Sequence, residues 1–132
     1  MLKLENIDVR YGPIHAVKDV SLTVDDGQIV AILGSNGAGK SSLLRAIAGA
    51  EKTSGGIIDF DGKPIDGLSP PMRVQQGITL VPEGRQIFVS MTVEENLLMG
   101  AYTQDQTTIR SGIETIFDRF PNLASRRHSL AS

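Results

Sequence analysis

The chain has 132 residues, 40% of them hydrophobic and 21% charged, with a formal net charge of −2. That balance excludes a disordered tail and a continuous membrane span, and it argues against a nucleic-acid partner held by bulk charge. With no cysteine and only two histidines, His15 and His128, it also excludes a disulfide scaffold, a cysteine–zinc site and a thiol nucleophile.

Lys3, Glu5 and Asp8 stand among the first residues and no long apolar run follows, so no secretory signal is expected and the expected setting is cytoplasmic. Leu2, Leu4, Ile7 and Val9 roughly alternate with polar residues and predict a strand, which Tyr11-Gly12-Pro13 breaks. Val20, Leu22 and Val24 alternate again before the turn Asp25-Asp26-Gly27. Two amphipathic strands joined by a turn predict an antiparallel start with one wet face. The run Ile29-Val30-Ala31-Ile32-Leu33 is continuously apolar and predicts, over residues 28–33, a strand buried on both faces of a parallel sheet.

A glycine-rich loop occupies residues 34–39. Leu43, Leu44, Ile47 and Ala48 then sit at helical spacing, with Gly49 as the C-terminal stop. Ile57-Ile58-Asp59-Phe60 and Lys63-Pro64-Ile65 flank Asp61-Gly62, a hairpin signal. Ser69-Pro70 reads as an N-cap followed by an N1 proline, opening a short helix that ends near Gly77. Residues 78–81 read as another short buried strand, and 82–91 as a loop. Thr92 and Glu95 have the capping-box spacing, so a helix is expected from there to about Gly100. Ile109, Ile113, Ile116, Phe117 and Phe120 form the stripe of a further helix, stopped by Pro121. Residues 122–132 have little periodicity, and Arg126-Arg127-His128 reads as a solvated loop.

The chemistry concentrates in Gly34-Ser35-Asn36-Gly37-Ala38-Gly39-Lys40-Ser41, which matches G-x-x-x-x-G-K-[ST], the phosphate-binding P-loop. Its glycines let backbone N–H groups wrap closely around a string of phosphates. Lys40 then reaches the β- and γ-phosphates, the Ser41 hydroxyl is placed to ligate Mg²⁺, and Ser42, one step into the helix, donates to the α-phosphate. The helix N-terminus adds a favourable dipole. The fold class is therefore α/β, of the P-loop NTPase kind, with ATP and Mg²⁺ as expected cofactors.

Several features outside the P-loop resemble the ATP-binding subunit of an ABC transporter, and most of all the branched-chain amino-acid importer branch (LivF type). Tyr11-Gly12 precedes the P-loop at about the distance of the aromatic residue that stacks on adenine in this family. Val81-Pro82-Glu83-Gly84-Arg85, Phe88 and Met91-Thr92-Val93-Glu94-Glu95-Asn96-Leu97 resemble the Q-loop region of this branch, and Phe120-Pro121 with Arg126-Arg127-His128 resembles the lead-in to the family signature. Most of the family carries Gln where Glu83 stands. The resemblance implies that Glu83 helps to hold Mg²⁺ and senses the γ-phosphate, and that Glu there marks the subfamily. The stretch from Phe88 to Met99 either joins the surface that docks a permease or simply packs a capped helix.

The resemblance implies an ABC-type nucleotide-binding domain over residues 1–132, with a β portion and P-loop core at 1–91 and the start of a helical subdomain at 92–132. It also implies transmembrane permease subunits and a second ATPase subunit as partners, an extracytoplasmic solute-binding protein as an indirect one, and a place on the inner face of the cell membrane. The family's signature, Walker B strand, catalytic Glu and switch His have no counterpart in these 132 residues. The expectation is an N-terminal fragment with no catalytic residue of its own, which binds MgATP weakly at most and does not hydrolyse it. An importer ATPase for urea or short amides, a soluble P-loop regulator or kinase, and a non-catalytic nucleotide-binding module are the alternatives.

Overall fold

The computed structural model describes residues 1–131. The chain divides into two compact units, one over Met1–Leu80 and a second from Val81 onward.

The first unit is built on four antiparallel strands, β1 (Leu2–Tyr11), β2 (Ile14–Val24), β3 (Gly55–Phe60) and β4 (Lys63–Pro64), in the order β2-β1-β3-β4. The β1–β2 hairpin expected from the alternation is present, and Leu4 of β1 lies opposite both Leu22 and Ile58. Leu4, Ile7 and Val9 are all buried although Leu4 differs in parity from the other two. The register shifts between Leu4 and Ile7 supply the reason, because an irregularity of this kind moves the inward-facing set by one residue. Asn6 and Asp19 carry the bend with positive φ of 51° and 49°, and Asn6 Nδ2 donates to Asp19 Oδ1 at 2.7 Å. The β3–β4 turn places Asp61 and Gly62 both in the left-handed region, as an Asp-Gly hairpin turn requires, and Asp59 Oδ1 accepts from the Gly62 N–H at 2.8 Å.

Helix α1 (Lys40–Ile47) lays Leu43 and Ala46 into a core with Leu4, Ile7, Val9, Val17, Ile58 and Ile65. Full burial of each such Leu or Ile contributes about 1.5–3 kcal/mol. Helix α2 (Pro70–Gln75) starts where Ser69-Pro70 predicts, but the Ser69 side chain makes no capping hydrogen bond.

Two expected strands do not form. Residues 28–33 have no ladder partner among the described residues, and Ile29 is 100% and Leu33 90% exposed. Residues 78–81 are likewise unpaired, with Val81 91% exposed. A strand buried on both faces takes its hydrogen bonds and its burial from neighbours on each side. The sheet formed by the described residues is wholly antiparallel and includes neither segment. Apolar runs therefore record a need for cover that this chain's own sheet does not supply.

The second unit is helical. Helix α3 (Val93–Gly100) begins in the predicted capping box: the Thr92 N–H donates to Glu95 Oε2 at 2.7 Å and the Glu95 N–H to Thr92 Oγ1 at 3.2 Å. Helix α4 (Gln106–Arg119) is capped by Asp105 Oδ1, which accepts from the Thr107 and Thr108 N–H groups. Its stripe buries Ile113 and Phe117, whereas Phe120 is exposed and ends the helix. Residues before proline are driven out of helical geometry, so Phe120 cannot continue the stripe. Pro121 does more than stop α4, since it opens the short α5 (Pro121–Ala124). The chain then returns to the start of α3, where the Val93 N–H donates to Ser129 O at 3.0 Å and Thr92 bridges to Leu130. No helix among the described residues is long and apolar enough to cross a membrane.

Candidate functional site

The glycine loop enters α1 without a side-chain cap. Gly39 occupies the N-cap position at φ 86° and, having no side chain, makes no capping hydrogen bond. A Cβ on Gly39 would stand 2.1 Å from the Ala16 carbonyl oxygen of β2, so only glycine fits this approach. Gly37 is also left-handed, at φ 83°, and the Ala38 N–H closes a turn onto Ser35 O at 3.2 Å. The loop residues 34–38 are exposed to solvent. Lys40 folds back over them, its Nζ donating to the Gly34 and Ser35 carbonyl oxygens at 2.7 Å each.

The other expected contact residues fall around the same helix end. The Tyr11 hydroxyl, at the end of β1, donates to Ser42 Oγ at 3.2 Å, which brings the aromatic ring to the first turn of α1. Ser41 is solvent-exposed in that turn. A groove of about 490 Å³ runs beside the loop, lined by Ala16 and Val17 of β2 together with Gly37, Ala38, Gly39 and Lys40. Asn36 stands in the exposed outer part of the loop. Close backbone approach, an ammonium group and uncapped helical amides form a donor set that fits a chain of phosphates.

Glu83 lies in the second unit, in a stretch over residues 82–90 that is exposed throughout. Arg85 and Gln86 there take positive φ of 63° and 44°. The Ser41 hydroxyl and the Glu83 carboxylate are hard oxygen donors of the type Mg²⁺ takes.

Three polar fastenings were not legible in the sequence. Arg73, in α2, is 4% exposed and is the only buried charged residue among the described residues. Its Nη1 donates to the Ala46 and Ile47 carbonyl oxygens at 2.7 and 2.8 Å, its Nε to Leu68 O at 3.1 Å and its Nη2 to Asp66 O at 3.3 Å. Burial pushes its pKa down, opposed by the Asp66 charge. Asn96 pins the loop before α3, accepting from the Phe88 N–H at 2.9 Å and donating to Phe88 O and Thr92 O. Arg127 does not belong to a solvated loop. It donates to Glu94 at 2.5 Å and to Glu114 at 3.0 Å, and its guanidinium sits 4.9 Å from the Phe117 ring centre. Sequence spacing cannot reveal this, because Glu94 and Arg127 are 33 residues apart. The Arg127 guanidinium holds the Glu94 carboxyl below its ordinary value, and His15, with the Asp19 N–H, does the same for Asp8 in the first unit.

The sequence profile of the ABC transporter family matches residues 17–131, and the chain belongs to that family. It is 38% identical over 126 residues to the high-affinity branched-chain amino acid transport ATP-binding protein BraG of Pseudomonas aeruginosa, covering 96% of this chain and 54% of BraG. It is 35% identical over 123 residues to the probable branched-chain amino acid transport ATP-binding protein LivF of Archaeoglobus fulgidus, covering 93% of this chain and 52% of that protein. The chain thus spans about half the length of these curated relatives. A solved ATP-binding subunit of an ABC transporter superposes with a TM-score of 0.84 at 27% identity, over 98% of this chain and 54% of that one. The fold is that of the ABC-type nucleotide-binding domain, in its antiparallel sheet, P-loop helix and helical part.

Proposed function

We propose that the whole protein is the ATP-binding subunit of an ABC importer and that its solute is a branched-chain amino acid. The family match carries the transport reading, and the loop geometry, in which Gly39 is pressed against Ala16 O and Lys40 bends over the loop, supports nucleotide binding within it. The names of the branched-chain relatives support the choice of solute. Other relatives are named for ribose import and putrescine transport, so the solute needs its own test.

In this reading Tyr11 presents its ring face to adenine, the amides of residues 34–39 and Lys40 hold the phosphates, and Ser42 takes the α-phosphate. Ser41 offers its hydroxyl to Mg²⁺, which neutralises phosphate charge when bound, and Glu83 offers a carboxylate of the kind that ion takes. Residues 1–91 serve as the β portion and P-loop core, and 92–132 as the start of the helical subdomain. The partners are permease subunits in the membrane and a second ATPase subunit, with a solute-binding protein acting through the permease. The work is done on the cytoplasmic face.

Uptake of labelled leucine, ribose, putrescine and urea in cells lacking the gene tests the assignment. Leucine uptake should fall and return with the wild-type gene but not with Lys40→Ala. Restoration of one of the other solutes instead would reassign the importer, and no uptake defect in any of them would remove the transport reading.

A further inference from the structure

We infer that Arg73 is a positioning residue for the phosphate loop, acting through α1 from the end opposite the bound nucleotide. The inference rests on the nucleotide reading. Helix α1 is only eight residues long and buries just Leu43 and Ala46. A helix this short does not hold its shape or place by itself. Its N-terminal end has no N-cap side chain, and the Lys40 and Tyr11–Ser42 hydrogen bonds there are solvent-exposed. Its C-terminal end, by contrast, is gripped. One guanidinium nitrogen of Arg73 takes both Ala46 O and Ile47 O, at 2.7 and 2.8 Å, while Nε and Nη2 reach Leu68 O and Asp66 O. A buried cation on the last carbonyls also opposes the helix dipole at the end where a positive charge stabilises it. Asp66 is tied into the sheet in turn, accepting from the Ile58 N–H with both carboxylate oxygens. The chain of contacts therefore runs from β3 through the Asp66 segment and Arg73 to α1, whose other end carries Lys40 and Ser41.

Gly49 is the steric partner of this clamp. It lies just past α1 at φ 78°, and a Cβ there would stand 2.8 Å from Arg73 Nε. A side chain at position 49 would therefore displace the guanidinium. Loss of the clamp leaves α1 sampling positions in which the loop amides no longer converge. If the competent arrangement falls to about a tenth of the molecules, apparent nucleotide affinity falls roughly tenfold.

The test measures MgATP affinity and melting temperature together, on the purified whole protein, for wild type, Arg73→Met, Arg73→Lys and Gly49→Ala. Leu4→Ala serves as a control that destabilises the same core without touching the clamp. Affinities are taken on the folded fraction, and amide hydrogen exchange of Lys40, Ser41 and Leu43 is followed alongside. Arg73→Met should bind roughly tenfold more weakly with faster exchange at those amides, and Arg73→Lys should fall between it and wild type. Gly49→Ala should weaken binding and add little in combination with Arg73→Met. Leu4→Ala should lower the melting temperature and leave affinity unchanged. If Arg73→Met and Arg73→Lys lower stability but bind as wild type does, Arg73 is structural only and the inference fails while the nucleotide reading stands. If wild type itself binds no MgATP, both fail. Should Arg73→Met not fold, Arg73→Lys decides on the same readings.

Discussion

The two units are held together by different means. The first gathers a core from residues far apart in the chain, with Leu4 and Ile7 of β1, Val17 of β2, Leu43 of α1 and Ile58 of β3 all at 4% exposure or less. The second buries only Ile113 and Phe117 among its described apolar residues. It relies instead on the Thr92–Glu95 capping box, the Asn96 clamp and the Arg127 contacts to Glu94 and Glu114. A unit fastened by packing responds to lost volume. One fastened by charges and caps responds to lost partners and to pH.

Substitutions can break that contrast. The largest expected effect is Ile58→Ala, because Ile58 is fully buried in the core of the first unit. A loss of about 3 kcal/mol is expected in urea unfolding followed by a probe in that unit. A loss below about 1 kcal/mol there would mean that the core is not what holds the sheet. Next comes Gly39→Ala, which meets Ala16 O and a left-handed φ at once. Nucleotide affinity should drop on the order of 100-fold, from the clash and a left-handed cost of roughly 1–2 kcal/mol. Calorimetric titration with MgATP reads this directly. In the second unit, Thr92→Ala removes the acceptor for the Glu95 N–H and should cost about 1 kcal/mol, visible as reduced helicity by circular dichroism.

Acid sharpens the comparison further. Glu94, Glu95 and Asp105 are all held below their ordinary values, by Arg127, by the Thr92 N–H and hydroxyl, and by the Thr108 hydroxyl and N–H respectively. A depressed carboxylate stabilises above its unfolded value, here 4.5 for the two glutamates, and loses that contribution as pH falls through the lower folded value. Asp8 is the corresponding carboxylate in the first unit. Helix signal should therefore decline below pH 4.5 ahead of the sheet signal. A sheet that melts first would reverse the account of the two units.

What the sequence made legible follows the same division. Local signals were readable: the Asp61-Gly62 turn, the Thr92–Glu95 box, the β1–β2 alternation and the loop at 34–41 each depend on residues within a few positions of one another. The contacts that needed distant partners were not. Nothing in the sequence singles out Arg73, because its partner Ala46 O lies 27 positions away. Arg127 reads as part of a solvated run until Glu94 and Glu114 meet it. Residues 28–33 misled in the opposite sense, because an apolar run states what it needs from neighbours and not whether those neighbours are paired to it. The loop's glycine–lysine–serine pattern was readable because Gly39, Lys40 and Ser41 are adjacent, but the reason that Gly39 must be glycine lies in β2, at Ala16.

The central claim is that residues 34–42 form a phosphate cradle. Titration of MgATP into the whole protein, wild type and Lys40→Ala, with melting temperature followed in parallel, tests it most directly. The account predicts saturable binding by wild type that Lys40→Ala loses while keeping its melting temperature. Equal binding by the two, or none by a folded wild type, would contradict it.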